Sequence, residues 1–574
     1  MFITTQILAI SLFAADIQLE QIVPDTTIAF LETDNVGKII QNLDCESVLV
    51  SMGLESMGFN SIQRMTNGDM SEEFFERLDI EKEEWNPPNG SMGLAVYPVV
   101  DYEFGTVGMG FFMFIELDEK LYSEFFSDGF EELSESDAMT LETVSLSGRD
   151  VMFSQIQIEN EIPLELSLIA ESIQNVYFTF TDGYFMIASE PDSIASAFSA
   201  IDEDIENNRL DSNEDYQKLK TRCGNDGDFF GGILLENLAD TFVQMDTSGM
   251  GMMFLPMLKS VMGDVDAVAN SVSLATDQNP MKAKCSILMK DGRNGLMGLV
   301  GEGVTDSTTP NFIAENYSYM QGEIDIKKFT PLMNQVMTEN PMLSMQMGPD
   351  IQQMELMVKN FLQPLGSKFY YYSTGSIPVD MEAIGYLFAM ECEDELSFSS
   401  SLGLTLPMMG AVPTDFLGNQ IFTMDLGASM PLPIPMSMEI SIAVGGGYVF
   451  LGTTNTIQNA LRAIANPNEY KSNYAKNPAI EYIETSNVST WGYTNMKLSL
   501  DIQNEISAKV EENMFEEMEA FDPEMAAEMR KEFEQQSGIY DKTLESISSM
   551  MGNMAWTLTT EDDGFTANLI MLKP

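Results

Sequence analysis

Apolar and polar positions along this chain follow two periods. Where they alternate they mark strands. In KAKCSILMK, Ala283, Cys285, Ile287 and Met289 share one face, opposite Lys282, Lys284 and Lys290. Cys285 therefore reads as a small core residue. Where apolar positions recur every three to four residues they mark helices, as with Ile194, Ala197, Phe198 and Ile201. Ser193 stands where that helix needs an N-cap.

The alternating and helical segments come in a repeated order. DGYFMIASEPDSIASAFSAI at 182–201 returns as GGGYVFLGTTNTIQNALRAI at 445–464, a strand, a small turn and a helix, with Thr456 in the capping place. GFFMFIELDEKL (110–121) parallels GYLFAMECEDEL (385–396), and GRDVMF (148–153) parallels GNQIFT (418–423). VSLATDQNPMKAKCSILMK (272–290) parallels WTLTTEDDGFTANLIMLK (556–573), each read as a hairpin. A fainter echo links TIAFLETDNVGKIIQNL (27–43) with FFGGILLENLADTFVQM (229–245), and YMQGEIDIKKFTPLM with TWGYTNMKLSLDI in the second half. Tandem duplication follows, with one domain at 22–302, a linker GVTDSTTP at 303–310 and a second domain at 311–574. Amphipathic, Met-rich helices are predicted over 250–262 and 342–362. An acidic helix is predicted over 513–536, broken at Pro523, with Asp522 capping its restart. The fold class is α+β: two homologous tandem domains, each a large, mostly antiparallel sheet with amphipathic helices on one face.

Composition then narrows the function. The chain has 574 residues, enough for two cores. Its 89 acidic and 28 basic residues give a net charge of −61, which repels nucleic acid and anionic membranes and tolerates divalent cations. With no histidine, Ser-His-Asp and Cys-His catalysis and every His-ligated metal are excluded. The four cysteines form no CxxC motif. Cys392 reads as strand-borne, and the pattern allows Cys45 and Cys223 to pair in an oxidising compartment. Residues 1–15, apolar and ending in Ala14 and Ala15, read as a signal peptide with atypically little positive charge; no later run reads as a membrane helix.

The motif search returns turns and loops. GTVGMG (105–110) has the wrong glycine order for a dinucleotide site and reads as a bulge or turn. NGSMG (89–93) lacks the spacing of a nucleophile elbow, and DTSG (246–249) has no partner copy. GNDGDFFGG (224–232) offers Asp226 and Asp228 but not the ligand series of an EF-hand. The 45 methionines lie at core spacing, not in a copper motif. No residue is assigned to catalysis, to a cofactor or to a metal.

The order of strand, turn and helix in PDTTIAFLETDNVGKII, the stretch DGYFMIASEPDSIASAF and the closing hairpin resemble exported bacterial tandem-repeat proteins known only as domains of unknown function. The resemblance implies export and carries over no site residues. The expected function is a non-catalytic exported binding or structural protein of the bacterial cell envelope, its partner an apolar small molecule or a protein. The alternatives are a carboxylate-dependent hydrolase of glycan type and a divalent-ion-dependent surface assembly protein.

Overall fold

A computed structural model describes residues 18–36, 90–101, 106–117, 139–156, 175–202, 208–224, 227–245, 255–256, 259–276, 279–303, 309–339, 351–379, 384–425, 439–469, 477–521, 523, 530 and 552–573. Residues 1–17, Cys45, Asp226, the DTSG stretch, most of 250–258 and 342–350 lie outside them. Contacts divide the chain into two compact units. Unit 1 comprises Met1–Leu255, Val265–Leu274 and Ala283–Met289; unit 2 comprises Pro256–Asp264, Ala275–Lys282 and Lys290–Pro574.

Unit 1 contains strands β1 (Ala29–Thr33), β2 (Met92–Asp101), β3 (Thr106–Glu116), β4 (Met139–Leu146), β5 (Arg149–Ile156), β6 (Asn175–Thr181), β7 (Tyr184–Ala188), β8 (Phe229–Leu234), β9 (Ala267–Ser273) and β10 (Met281–Leu288). Its described helices are α1 (Pro191–Ile201), α2 (Glu214–Cys223) and α3 (Leu235–Met245). The strands lie in the order β10-β9-β8-β1-β2-β3-β7-β6-β5-β4, antiparallel from β9 onwards.

Unit 2 contains β11 (Ser318–Glu323), α4 (Phe329–Glu339), α5 (Ile351–Leu362), β12 (Leu365–Thr374), β13 (Gly385–Cys392), α6 (Glu395–Thr405), β14 (Val412–Phe416), β15 (Asn419–Asp425), β16 (Glu439–Gly445), β17 (Tyr448–Gly452), α7 (Thr454–Ala465), β18 (Thr490–Asn495), α8 (Met496–Phe521), β19 (Asn553–Glu561) and β20 (Gly564–Met571). Its antiparallel order is β20-β19-β18-β11-β12-β13-β17-β16-β15-β14. The fold is α+β, and the ten places of the strand order are filled in the same sequence in each unit.

The register agrees as well. One row across unit 1 runs Thr143, Met152, Phe178, Ile187, Met113, Leu94, Leu31, Gly231, Asn270. The corresponding row of unit 2 runs Pro413, Phe422, Ile442, Leu451, Phe388, Tyr371, Met320, Gly492, Trp556. Only the closing hairpin departs from the sequence match. Val272 stands where Leu558 does, two residues from the Trp556 that the sequences align. A two-residue slip keeps every side chain on its face, so the hydrophobic pattern cannot detect it.

Several local expectations are corrected. Helix α1 begins at Pro191, whose fixed φ suits the first helical position, so Glu190 holds the cap place. Ser193 lies inside the first turn and hydrogen-bonds the Tyr97 hydroxyl. Likewise α7 is preceded by Thr453, and Thr456 donates to the carbonyl oxygens of Tyr386 and Thr453. On β10 the buried residues are Ser286 and Leu288, while Cys285 is only partly buried on the opposite face. The core of unit 1 takes the face that carries Leu288. Thr106–Gly110 of the GTVGMG run is regular strand, not bulge or turn: a Cβ on Gly110 would lie 2.5 Å from Val99 Cγ2. The described part of helix α8 runs from Met496 to Phe521, starting well before residue 513, and Pro523 is itself helical where a break was expected; Asp522, the expected cap of the restart, lies outside the described residues. Cys392 closes β13 and is buried.

In unit 2 helices cover both sheet faces, where a layer on one face was expected. Leu387 and Ala389 of β13 pack with Ile457 and Leu461 of α7, while Met390 and Cys392 pack with Phe398 and Leu402 of α6. A strand apolar at both parities needs cover on both sides. Among the described residues, no helix is long and apolar enough to cross a membrane.

Candidate functional site

The alternation of β1 puts Phe30 and Glu32 on the core face of unit 1, and their cross-strand neighbours there are small. Phe30 lies opposite Ala95 and Gly232, and Glu32 opposite Gly93 and Phe230. A Cβ on Gly232 would lie 2.6 Å from the Val268 carbonyl oxygen and 2.8 Å from the Phe30 ring. The space above this floor belongs to Tyr216 of α2, which is fully buried. Its ring meets Phe30 edge-on at 5.0 Å and Phe230 at 6.0 Å. Asn213 caps α2 by accepting from the amides of Asp215 at 3.0 Å and Tyr216 at 3.1 Å. That cap fixes the first turn, and Lys220 follows Tyr216 by one turn on the same helix face.

Four polar groups close on one another here. The Tyr216 hydroxyl hydrogen-bonds Glu20 and lies 2.5 Å from Glu32 Oε1. Lys220 donates to Glu20 and, at 3.1 Å, to the Tyr216 hydroxyl. Tyr216 has one proton but two carboxyl partners, so one of the two contacts must be bridged by a proton that a carboxyl carries. Burial raises Glu32 above its ordinary value of 4.5; Lys220 and the Tyr216 bond oppose this, and the charges of Glu20 and Asp34 add to it. Burial, then Glu32 and Glu20, raise Tyr216 far above its ordinary value, so it keeps its own proton. Of the two carboxyls, Glu32 is the one whose proton affinity burial raises, which favours it as the holder of the shared proton.

A carboxyl raised in the folded state binds its proton more tightly there than in the unfolded chain. The stability it lends is complete below about 4.5 and declines as pH rises through the raised value. Glu32→Gln, which mimics the neutral acid, is therefore expected to be the more stable protein at neutral pH, with the difference vanishing towards pH 4. Urea unfolding of both proteins across this range checks it; a Gln variant less stable than wild type at neutral pH would disprove it.

Glu32 also borders a cleft of about 190 Å³, together with Asp34, Ser91, Lys220, Asp228 and Ser271, over an aromatic floor of Phe114, Phe229 and Phe230. Asp228 is held in place: its Oδ2 accepts from the Leu274 amide at 2.6 Å, and its carbonyl accepts from the Thr33 hydroxyl at 2.6 Å. The Ser91 amide and hydroxyl donate to Glu116 Oε2 at 3.0 and 3.1 Å. Among the described residues, no three Cys, Asp or Glu converge where a metal ion would sit. Burial pushes the Cys223 thiol up to about 11, with Cys285 adding to the rise, so it is a poor nucleophile.

The matching place in unit 2 is filled. The shared register sets Gln321 in the place of Glu32 and Tyr319 in that of Phe30, and the Tyr319 hydroxyl donates to Gln321 Oε1 at 2.7 Å. Where unit 1 has Ala95 and Gly232, unit 2 has Tyr372 and Tyr493, both fully buried. Asn477 caps only a 3-10 turn, Pro478–Tyr482. Counted from the two capping asparagines, Ile480 and Glu484 stand where unit 1 has Tyr216 and Lys220.

No family model, curated protein or solved structure matches the chain.

Of these residues, Ser91 lies in NGSMG, and Asp228, Phe229 and Phe230 lie in GNDGDFFGG, and the sequence assigned none of them to a site; Asp228, read as part of a turn before a strand, lies just before β8. The usable signal was parity: Ile28, Phe30 and Glu32 alternate, so the strand itself sends a carboxyl to the core.

Proposed function

We propose that the chain is a non-catalytic, exported binding protein of the bacterial cell envelope, made of two domains that arose by tandem duplication, with unit 1 holding one small polar ligand. The duplication is supported by the common ten-place strand order and the common register across both units. Export is supported by the apolar first 15 residues. One observation carries the binding reading. Glu20, Glu32, Tyr216 and Lys220 satisfy each other in a closed set beside a polar cleft, and unit 2 lacks the set. A nucleophile or general base needs a carboxylate free to meet substrate. A neutral Glu32 instead offers a donor, and Asp34 and Asp228 a negative wall, which suits a ligand bearing an amine and hydroxyl groups better than an apolar one.

Native mass spectrometry of protein from its own cells, followed by denaturation, tests this. One polar molecule per chain is expected, lost in Asp34→Trp, which fills the cleft mouth. Bare protein, two molecules per chain or an apolar molecule would reject the reading. A second reading rests on the same Glu32: a neutral carboxyl in a cleft wall is what a glycoside hydrolase uses as general acid. Turnover of chromogenic glycosides that Glu32→Gln abolishes would replace binding with catalysis.

A further inference from the structure

Unit 2 carries an uncharged, apolar tip. From Leu396 to Thr414 there are 19 residues without a charge, in a chain where 20% are charged and such a run would hold about four. The run comprises all of α6 after its first residue, the 3-10 turn Pro407–Met409 and the start of β14. Helix α6 buries Phe398 and Leu402, while its exposed positions mix uncharged serines with Leu396 and Leu404, the latter 74% exposed. In the turn, Met408 is 88% and Met409 66% exposed, and Val412 at the start of β14 is 64% exposed.

The backbone imposes this exposure. The Leu406 amide donates to the Leu402 carbonyl at 2.9 Å, Met409 to Leu406 at 3.0 Å, Gly410 to Pro407 at 3.1 Å and Ala411 to Leu406 at 3.0 Å. Gly410 takes φ +89°, a left-handed conformation that favours glycine. Leu406 and Ala411 are buried as anchors. With the anchors and the turn fixed, Leu404, Met408, Met409 and Val412 point into water. Large apolar side chains held outward side by side mark a contact surface.

Charge and edge chemistry select what meets it. A second copy would bring another −61 charges against this protein. A partner strand would have to add to β14, which among the described residues pairs only with β15. Pro413 offers no N–H there, and the exposed Asp415 would carry its charge into the joint. Anionic lipid is repelled by the chain as a whole. We propose that the tip at 404–412 inserts into the interface of uncharged, zwitterionic phospholipid and holds the protein on a neutral membrane surface. Leu404, Met408, Met409 and Val412 enter the acyl boundary, and no ionic contact is required.

Cosedimentation of the full chain with phosphatidylcholine vesicles tests this against Met408→Glu/Met409→Glu, whose fold is checked by circular dichroism. Both substitutions lie in water, so folding is preserved. Wild type is expected to bind, the double variant at least tenfold more weakly, and phosphatidylglycerol mixed into the vesicles to weaken wild-type binding. Absence of wild-type binding, or equal binding by the variant, would overturn the proposal. So would sedimentation equilibrium showing a wild-type dimer that the double variant converts to monomer, which would make the tip a self-association surface.

Discussion

Lys220→Met is expected to destabilise unit 1 by about 2–4 kcal/mol at neutral pH, the range for breaking a largely buried ion pair, reduced here for partial solvent screening. Lys220 is 23% and Glu20 12% exposed at the side chain, and Lys220 is the cation that faces both Glu20 and the Tyr216 hydroxyl. Its loss leaves two carboxyls around one hydroxyl with no positive charge to offset the ionised one. Lys220→Met/Glu20→Gln should recover most of the loss. Hydrogen exchange at the β1 and β8 amides reads unit 1 directly. Trp491 and Trp556 belong to unit 2 and Trp85 to unit 1, so in a Trp85→Phe background the fluorescence transition reports on unit 2. Replacing the equivalent Glu484, which is exposed, should change neither signal. Wild-type protection of β1 in Lys220→Met would refute the ion-pair role.

The second large effect comes from exchanging the residues that distinguish the two floors. Gly232→Tyr imports the residue that unit 2 carries at Tyr493 and is expected to prevent unit 1 from folding stably. A Cβ at Gly232 already meets a backbone carbonyl at 2.6 Å, which cannot move aside as a flexible side chain would. Overpacking of this kind costs about 1–3 kcal/mol or more, and a phenol ring adds a collision with Phe30. The reverse exchange, Tyr493→Gly, removes a fully buried ring that stacks near Tyr319 at 5.6 Å and whose hydroxyl donates to Asn316 at 2.9 Å. Its expected cost is about 3–5 kcal/mol, from the cavity and the lost packing. Urea unfolding followed by hydrogen exchange in each unit measures both. A stable, cleft-retaining Gly232→Tyr protein would show that the small floor does not build the site.

The sequence made the sheets legible because strand parity and turn chemistry are local. GRDVMF and GNQIFT fall on β5 and β15 at equivalent places because Gly148 and Gly418 both take left-handed turns, at φ +79° and +82°. Helix starts were misplaced where a proline or a neighbouring threonine took the position that Ser193 and Thr456 suggested. The second helical face of unit 2 was missed because β13 is apolar at both parities, a pattern that a one-sided layer does not require. The site was the least legible part. Glu20, Glu32, Tyr216 and Lys220 are spread over 200 residues, and only the folding of α2 onto β1 and β8 brings them together. The glycines that make room for Tyr216 look like weak strand positions until their cross-strand neighbours are known.

Infrared difference spectroscopy between wild type and Glu32→Gln at neutral pH tests the shared proton most directly. The wild-type spectrum is predicted to contain the carbonyl stretch of a protonated carboxylic acid that the Gln variant lacks. A difference showing only the loss of an ionised carboxylate would contradict it: Glu32 would then be an ordinary charged group, and unit 1 would have no neutral acid to offer a ligand.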